Sequence, residues 1–465
     1  MSNEVKLVSP VDGHVYAERH YASDETVGAA LEAAAQAQRA WKKTPLEERA
    51  RYCTAAVEAL LAMREEIAPE IAWQMGRPVR YGAGELRGLE ERAHHMIAIA
   101  ADALADIDSG EKAGFRRFVR REPLGTVFVI APWNYPYLTA VNSIIPALMA
   151  GNAVILKHAT QTLLVGERFE RAFQQAGLPA GLFRNLLLDH EQSARVIASG
   201  RVQQVNFTGS VEGGRAMERA ASGHFLGLGL ELGGKDPAYV RHDADLDFTV
   251  ENLVDGSFFN SGQSCCGIER IYVDRGVYPE FVERFTELTR SYVLGNPLDE
   301  ATTLGPLVKA ASADFVRGQI ADAIAGGARA LIDASTFGAD AIGTPYLAPQ
   351  VLIDVDHSMS VMREESFGPV VGIMPVDGDT QALQLMNDSP YGLTASVWTR
   401  DLEAAERIGD DIATGTVYMN RCDYLDPSLA WTGVKHTGRG ATLSRVGYET
   451  LTRPKSFHLR HAITN

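Results

Sequence analysis

Val205-Asn206-Phe207-Thr208-Gly209-Ser210-Val211-Glu212-Gly213-Gly214-Arg215 carries a β-rich run through a Thr-Gly-Ser turn straight into the start of a helix. A turn of this kind aims free backbone N–H groups at whatever lies beyond the strand end, which suits an anion such as a pyrophosphate. It is not GxGxxG, and taken alone it is equally an ordinary tight turn. Its neighbours decide the reading. Short β-rich runs at 126–130, 153–156, 203–207 and 238–240 alternate with helical stretches at 161–176 and 211–221. Further strands near 269–273, 369–374 and 415–419 alternate with helices near 276–293, 309–325, 379–387 and 402–409. Repeated alternation predicts an α/β protein built on parallel sheets.

The first hundred residues predict helix instead. Residues 24–42 place Val27, Leu31, Ala34 and Ala35 at helical spacing. A second helix is expected to open at Thr44-Pro45-Leu46-Glu47, with Thr44 as cap, Pro45 at the first helical position and Glu47 completing a capping box. A third runs over about 83–107. Residues 114–122 alternate as an edge strand.

A chain of 465 residues exceeds what one core usually organises, and the usual domain size suggests about three units. The 44 basic and 59 acidic residues leave a net charge of −15, which repels nucleic acid and anionic membrane surfaces. Cys53, Cys265, Cys266 and Cys422 have no CxxC spacing, so neither a zinc site nor a disulfide framework is indicated. Residues 1–13 are polar and lack a signal-like apolar run. The most apolar stretch, 124–156, is interrupted by Pro132, Asn134, Pro136, Asn142 and Pro146 and does not read as a membrane span. A cytoplasmic, reducing location is expected.

Chemistry concentrates in Phe258-Phe259-Asn260-Ser261-Gly262-Gln263-Ser264-Cys265-Cys266. A thiol attacks electrophiles as thiolate, and a free cysteine has a pKa of roughly 8.5, so a nucleophile needs help from its surroundings. Gly262 is expected to give access, and Asn260, Ser261, Gln263 and Ser264 to give hydrogen bonds. The bland alternative is two buried structural cysteines. Lys157 closes the run Gly151-Asn152-Ala153-Val154-Ile155-Leu156, at the strand end where ligands bind in open α/β sheets. Asn134, in Ala131-Pro132-Trp133-Asn134-Tyr135-Pro136, is placed to donate to a developing oxyanion. Glu231, between Leu230 and Leu232, should be partly desolvated, which raises its pKa towards that of a working base. Glu365 lies in Arg363-Glu364-Glu365-Ser366-Phe367-Gly368-Pro369.

Seven separated motifs give the chain a resemblance to the aldehyde dehydrogenase superfamily over nearly its whole length. They are Ala131 to Asn134, Gly151-Asn152 through Lys157, Phe207 to Ser210, Glu231 to Lys235, Asn260 through Cys265, Glu365 to Pro369, and Asn387 through Gly392. The resemblance implies a Rossmann-type cofactor domain (1–105 and 124–232), an α/β catalytic domain (233–440) and a β oligomerisation arm (106–123 and 441–465). It implies that Cys265, not Cys266, attacks the aldehyde, with Asn134 and the Cys265 amide holding the oxyanion. Hydride would pass to NAD or NADP, and Glu231 would activate water against the resulting thioester. It further implies that Gly209 and Ser210 lie near the pyrophosphate and Lys157 on the adenosine ribose. Glu365 would take the nicotinamide ribose and Phe367 the nicotinamide side, with Trp133 among the cofactor contacts.

Departures from the family pattern bear on specificity. Thr160 stands where NAD-preferring relatives often carry a glutamate; a hydroxyl admits the 2′-phosphate of NADP, so both coenzymes are permitted. His158 replaces a usual proline. After Trp431 to Gly438, the Arg-Glu pair that often follows in the family is missing, with Gly440-Ala441-Thr442 in its place. Tyr135, Leu138, Asn420, Arg421, Asp423, Leu425 and Trp431 match tunnel-lining positions. Aromatic walls favour an apolar or aromatic aldehyde, while Arg421 raises the possibility of a semialdehyde. The resemblance also admits a C=N substrate such as a hydrazone, a CoA-acylating enzyme and a non-catalytic cofactor-binding relative. Glu231 argues against acylation, and the presence of cysteine, asparagine and glutamate against loss of activity. A homodimer or homotetramer is expected, with no nucleic-acid, membrane or metal partner.

Overall fold

Thr126–Ala131 and Ala153–His158 are buried at every position, which marks strands covered by helices on both faces. They lie at the centre of a six-stranded sheet, in a computed structural model that describes residues 4–462. The sheet order is Gly438–Arg439, Gly227–Glu231, Gln204–Thr208, Thr126–Ala131, Ala153–His158, Phe183–Asn185, parallel throughout except for the first strand. From Thr126–Ala131 the chain builds outward on one side, then crosses back to lay Gln204–Thr208 on the other. The reversal leaves a crevice at the carboxyl ends of those two strands, where open α/β sheets bind ligands.

A second sheet of seven strands runs Arg329–Ala330, Gln350–Ile353, Val370–Val376, Ile268–Asp274, Asp236–Val240, Thr394–Trp398, Thr416–Met419. All its pairs are parallel except the first. Only Leu232 to Lys235 separate the last parallel strand of one sheet from the first strand of the other. Glu231 therefore sits at the joint.

The anticipated strands and helices of both α/β regions are present within a few residues of their expected limits. The amino-terminal helices need corrections. Leu46–Ala62 has no side-chain cap and Pro45 occupies the cap position, so the Thr44 cap and the Glu47 box do not form. Thr44 is already engaged by the preceding helix end: its amide donates to Trp41 O at 2.9 Å and its carbonyl accepts from Arg49 Nε at 3.0 Å. A further helix, Arg64–Met75, was not anticipated; it carries Pro69 inside and stops at Gly76, whose φ of 87° is left-handed. The third expected helix is Gly82–Ala103, and Ile107–Asp108 is already a strand.

Phe115–Pro123 is not an edge strand. It is the middle of a three-stranded antiparallel sheet, between Thr452–Arg460 and Ile107–Asp108. The pairing brings Phe118 and Phe457 into a stack at 4.6 Å, with Arg120 over both rings. Thr452–Arg460 then carries the free edge. Ser444–Glu449, just before it, packs against the helix Gly82–Ala103, where Tyr448 Oη donates to Met96 O at 2.6 Å.

Candidate active site

The crevice at the strand reversal opens into a cavity of about 780 Å³. Trp133, Asn134 and Tyr135 line it from the end of one strand, and Thr208, Gly209 and Ser210 from the end of the other. Glu231, Cys265, Cys266, Glu365 and Phe367 complete the wall from the joint and the second body. The chamber thus draws its wall from residues up to 354 positions apart, counting from Arg77 to Trp431.

The cysteine loop is held by its own polar residues. Asn260, Ser261 and Gly262 have φ of 54°, 58° and 70°, three left-handed residues in a row. Ser261 Oγ donates to Gly305 O at 2.7 Å, Gln263 Oε1 accepts from Val308 N at 2.8 Å, and Asn260 Nδ2 donates to Gln263 O at 3.1 Å. These bonds compensate a backbone that costs roughly 1–3 kcal/mol per strained residue. Gly262 was expected to give access to the site; instead a Cβ there would meet Gly368 O at 2.3 Å, so the glycine serves close packing of two backbones.

The two thiols differ sharply. Cys266 is 2% exposed and donates to Asp423 Oδ1 at 2.9 Å. The Cys265 thiol beside it, burial and the Asp423 carboxylate push the Cys266 thiol well up, away from thiolate. Ser264 Oγ donates to the same Asp423 oxygen at 2.7 Å. Cys265 is less buried and faces the cavity without such a partner.

Asn134 is 6% exposed and its Nδ2 lies 3.2 Å from Gln263 O, beside the cysteine segment. A buried arginine that sequence reading passed over fixes this region: Arg77 donates to Asn134 O, to Asn260 Oδ1 at 3.0 Å and to Glu85. Glu85 Oε1 in turn accepts the amides of Tyr137 and Leu138 at 2.9 and 3.0 Å. It caps Pro136–Met149, a helix with no side-chain cap of its own, from another element. No local pattern marks Arg77 or Glu85, because their partners lie 57 and 52 residues away.

Glu231 ends its strand with both carboxylate oxygens engaged. Thr208 Oγ1 donates to Oε2 at 3.0 Å and Thr442 Oγ1 to Oε1 at 2.5 Å. Burial pushes its pKa up; the two hydroxyls and the Arg92 charge oppose that shift. Thr442 belongs to the stretch that departs from the family pattern, and its role appears only in the fold. Glu365 accepts from Gly234 N at 2.9 Å, and burial with the nearby Glu269 charge raises its pKa to about 7. Side chains at Gly233 and Gly234 would collide with the Glu365 carboxylate at 2.4 Å and with Cys265 O at 2.4 Å. The Gly-Gly pair is thus what allows the cysteine loop and the Glu365 loop to meet.

Glu269 was also missed by sequence reading. It pairs with Lys235 at 2.5 Å inside the protein and accepts the amides of Ser366 and Phe367 at 2.8 and 3.0 Å, anchoring the Glu365 loop. Phe367 meets Trp133 edge to face at 5.7 Å. Ser210 caps Val211–Ala221 by accepting from Gly213 N at 3.1 Å. Lys157 is 8% exposed, lies off the cavity on the neighbouring strand, and is lowered to about 8 by burial. Thr160 begins the turn after it. His158, in place of proline, is pinned between Pro136 O and Thr162 Oγ1, both at 3.1 Å, and burial lowers it to about 4.

Of the expected pocket residues, Tyr135, Leu138, Asp423, Leu425 and Trp431 line the cavity. Arg421 does not: it is exposed and lies over the Tyr424 ring at 3.5 Å, where cation–π contact holds it outside. Asn420 is spent on the backbone of Thr399, at 3.0 and 2.8 Å.

The aldehyde dehydrogenase family profile matches residues 1–457. This chain belongs to the aldehyde dehydrogenase family. It is 34% identical over 463 residues to a 3,6-anhydro-alpha-L-galactose dehydrogenase of Streptomyces coelicolor, covering 98% of this chain and 93% of that one. It is 31% identical over 440 residues to an NAD(P)+ succinate semialdehyde dehydrogenase of Escherichia coli, covering 95% and 94%. The solved succinic semialdehyde dehydrogenase of Streptococcus pyogenes, in complex with NADP+, superimposes with a TM-score of 0.93 at 28% identity, over 98% of this chain and 100% of that one. This aldehyde dehydrogenase is an oxidoreductase that oxidises an aldehyde with NAD or NADP as acceptor. No helix among the described residues is long and apolar enough to cross a membrane.

Proposed function

We propose that Cys265 is the nucleophile, Asn134 the oxyanion donor and Glu231 the base in oxidation of an aldehyde to a carboxylic acid. The observation that supports this most directly is that all three side chains line one cavity at the strand reversal. Cys265 Sγ bonds to the aldehyde carbon, and the carbonyl oxygen takes the negative charge, where Asn134 Nδ2 and the Cys265 amide stabilise it. The bound NAD(P) supplies the hydride acceptor. A thioester on Cys265 remains. Glu231 takes a proton from water as the oxygen attacks the thioester carbon, and the Cys265 thiolate leaves. A smaller cavity of about 210 Å³, bounded by Glu231, Thr208, Thr442 and Asn206, holds room for water behind the base.

Ser210 and Gly209 would hold the pyrophosphate of the coenzyme, Lys157 and Thr160 the adenosine ribose, and Trp133, Glu365 and Phe367 the nicotinamide end. The fit is physical: a helix start at the strand end, a carboxylate beside a glycine amide and an aromatic slot form one continuous wall. Thr160 carries no charge to repel a 2′-phosphate, so both coenzymes are accepted. The substrate has an apolar or aromatic body, held by Tyr135, Leu138 and Trp431. A semialdehyde is the second reading, favoured by a cation on the cavity wall described below. Residues 1–105 with 124–232 bind the cofactor, 233–440 carry the catalytic loop, and 106–123 with 441–465 form the arm through which a dimer or tetramer assembles. The compartment is cytoplasmic, where four free thiols persist.

NAD(P)H formation across an aldehyde panel, with each coenzyme and with or without CoA, tests the scheme. Turnover without CoA that disappears in Cys265→Ala is the expected result. Turnover that survives that substitution, or that needs CoA, overturns it.

A further inference from the structure

Gly82–Ala103 presents Glu85, Gly88 and Arg92 on one face, at the three- and four-residue spacing of neighbours along a helix. A Cβ at Gly88 would meet Leu138 Cδ2 at 2.4 Å, so the glycine draws this face against the helix Pro136–Met149. Arg92 then lines the cavity while only 9% exposed. Both hydrogen bonds it makes among the described residues leave from Nη1, to Leu138 O at 3.0 Å and Asn142 Oδ1 at 3.5 Å. Nε and Nη2 have no acceptor there, and no carboxylate forms an ion pair with the guanidinium. The other buried arginines are saturated: Arg77 by Glu85, Asn260 and Asn134; Arg270 by Lys235 O, Tyr272 and two helix-end carbonyls; Arg241 by Asp379.

Nor do the acids around the cavity supply the missing anion. Glu85 is taken by Arg77 and two amides, Asp423 by Ser264 and Cys266, Glu91 by Tyr424 Oη at 2.9 Å, and Glu365 by Gly234 N. Both oxygens of Glu231 are held by Thr208 and Thr442, not by Arg92. Asp255 is exposed on the rim. Beside Arg92, Asn142 Nδ2 is a second buried donor without an acceptor. A buried guanidinium with two free nitrogens matches a carboxylate, which accepts in a fork.

Resting on the reading of Cys265 as nucleophile, we propose that Arg92 is a specificity-determining residue that receives a carboxylate of the substrate. The substrate class is then an aldehyde acid: the aldehyde meets Cys265, an apolar body lies against Tyr135 and Leu138, and the carboxylate pairs with Arg92. Arg421, the cation that sequence reading offered for this task, is stacked outside the cavity.

The test compares kcat/KM for succinic semialdehyde and para-carboxybenzaldehyde with that for their methyl esters, in wild type, Arg92→Gln and Arg92→Lys. In wild type at least one acid is expected to exceed its ester by about tenfold or more, a factor that corresponds to ~1.4 kcal/mol. In Arg92→Gln that ratio falls to near one, chiefly through KM, and Arg92→Lys restores part of it. A wild type that oxidises the esters as well as the acids overturns this proposal while leaving the catalytic scheme intact, and it does so even if Arg92→Gln fails to fold. A ratio unchanged in a folded Arg92→Gln overturns it equally. Absence of any aldehyde oxidation strikes the catalytic scheme instead.

Discussion

Thr208 and Thr442 each donate to Glu231, opposing the effect that burial has on it. Hydrogen bonds to the charged form lower a carboxylate's pKa, and one bond to a charged group contributes about 1.5–3 kcal/mol. Thr442→Val removes one of them, so the Glu231 pKa rises further. The ascending limb of the kcat–pH profile, measured where deacylation limits, is expected to move to higher pH. An unmoved limb would show that Thr442 does not tune the base. Glu365 behaves differently, because its pKa of about 7 lies above its ordinary value of 4.5. A carboxyl raised on folding stabilises the native state fully below the unfolded pKa and loses that stabilisation as pH climbs through the folded one. The melting temperature of the free enzyme should therefore carry a decline between about pH 4.5 and pH 7 that Glu365→Gln flattens. Calorimetry of both proteins across that window checks it.

Loops make the site at the next scale, and two contacts hold them in place. Lys235 and Glu269 form an ion pair at 0% and 5% side-chain exposure, and Glu269 also anchors the amides of the Glu365 loop. Removing one partner of a buried pair costs about 3–5 kcal/mol, since the other charge is left without compensation. Glu269→Gln is expected to lower the melting temperature by several degrees and weaken coenzyme binding, read by titrating NADH or NADPH fluorescence. Gly234→Ala acts on the other contact: its Cβ would fall 2.4 Å from Cys265 O, a backbone atom that moves only with the nucleophile. The expected outcome is a kcat reduced by about a hundredfold in a protein that still folds, since misplacement of about 1 Å carries a penalty of that size. Circular dichroism with steady-state kinetics separates the two.

At the scale of the whole molecule, the free edge of Thr452–Arg460 is the feature that remains open. An unpaired edge strand is a template for another chain, and Arg453, Lys455 and Arg460 line this one with charge. If the arm joins subunits, Ser456→Pro, which removes an edge N–H, should shift the mass in light scattering from dimer or tetramer towards monomer. A wild type that is monomeric at micromolar concentration would remove that role from the arm. The parallel α/β architecture and the motif-borne residues of the chamber were legible along the chain, because strand–turn–helix alternation and motifs such as Glu231 to Lys235 are local patterns. Asn134, Glu231, Cys265, Glu365 and Phe367 were recognisable for the same reason. Arg77, Glu85 and Glu269 were not, since each carries no local signature, and the bonds of Thr208 and Thr442 to Glu231 join residues distant in sequence. Linear order likewise could not say that Arg421 turns outward onto Tyr424 while Arg92 stays inside with two nitrogens unpaired. Which cation faces the substrate depends on how closely two helices approach at Gly88, and that spacing exists only once the chain has packed.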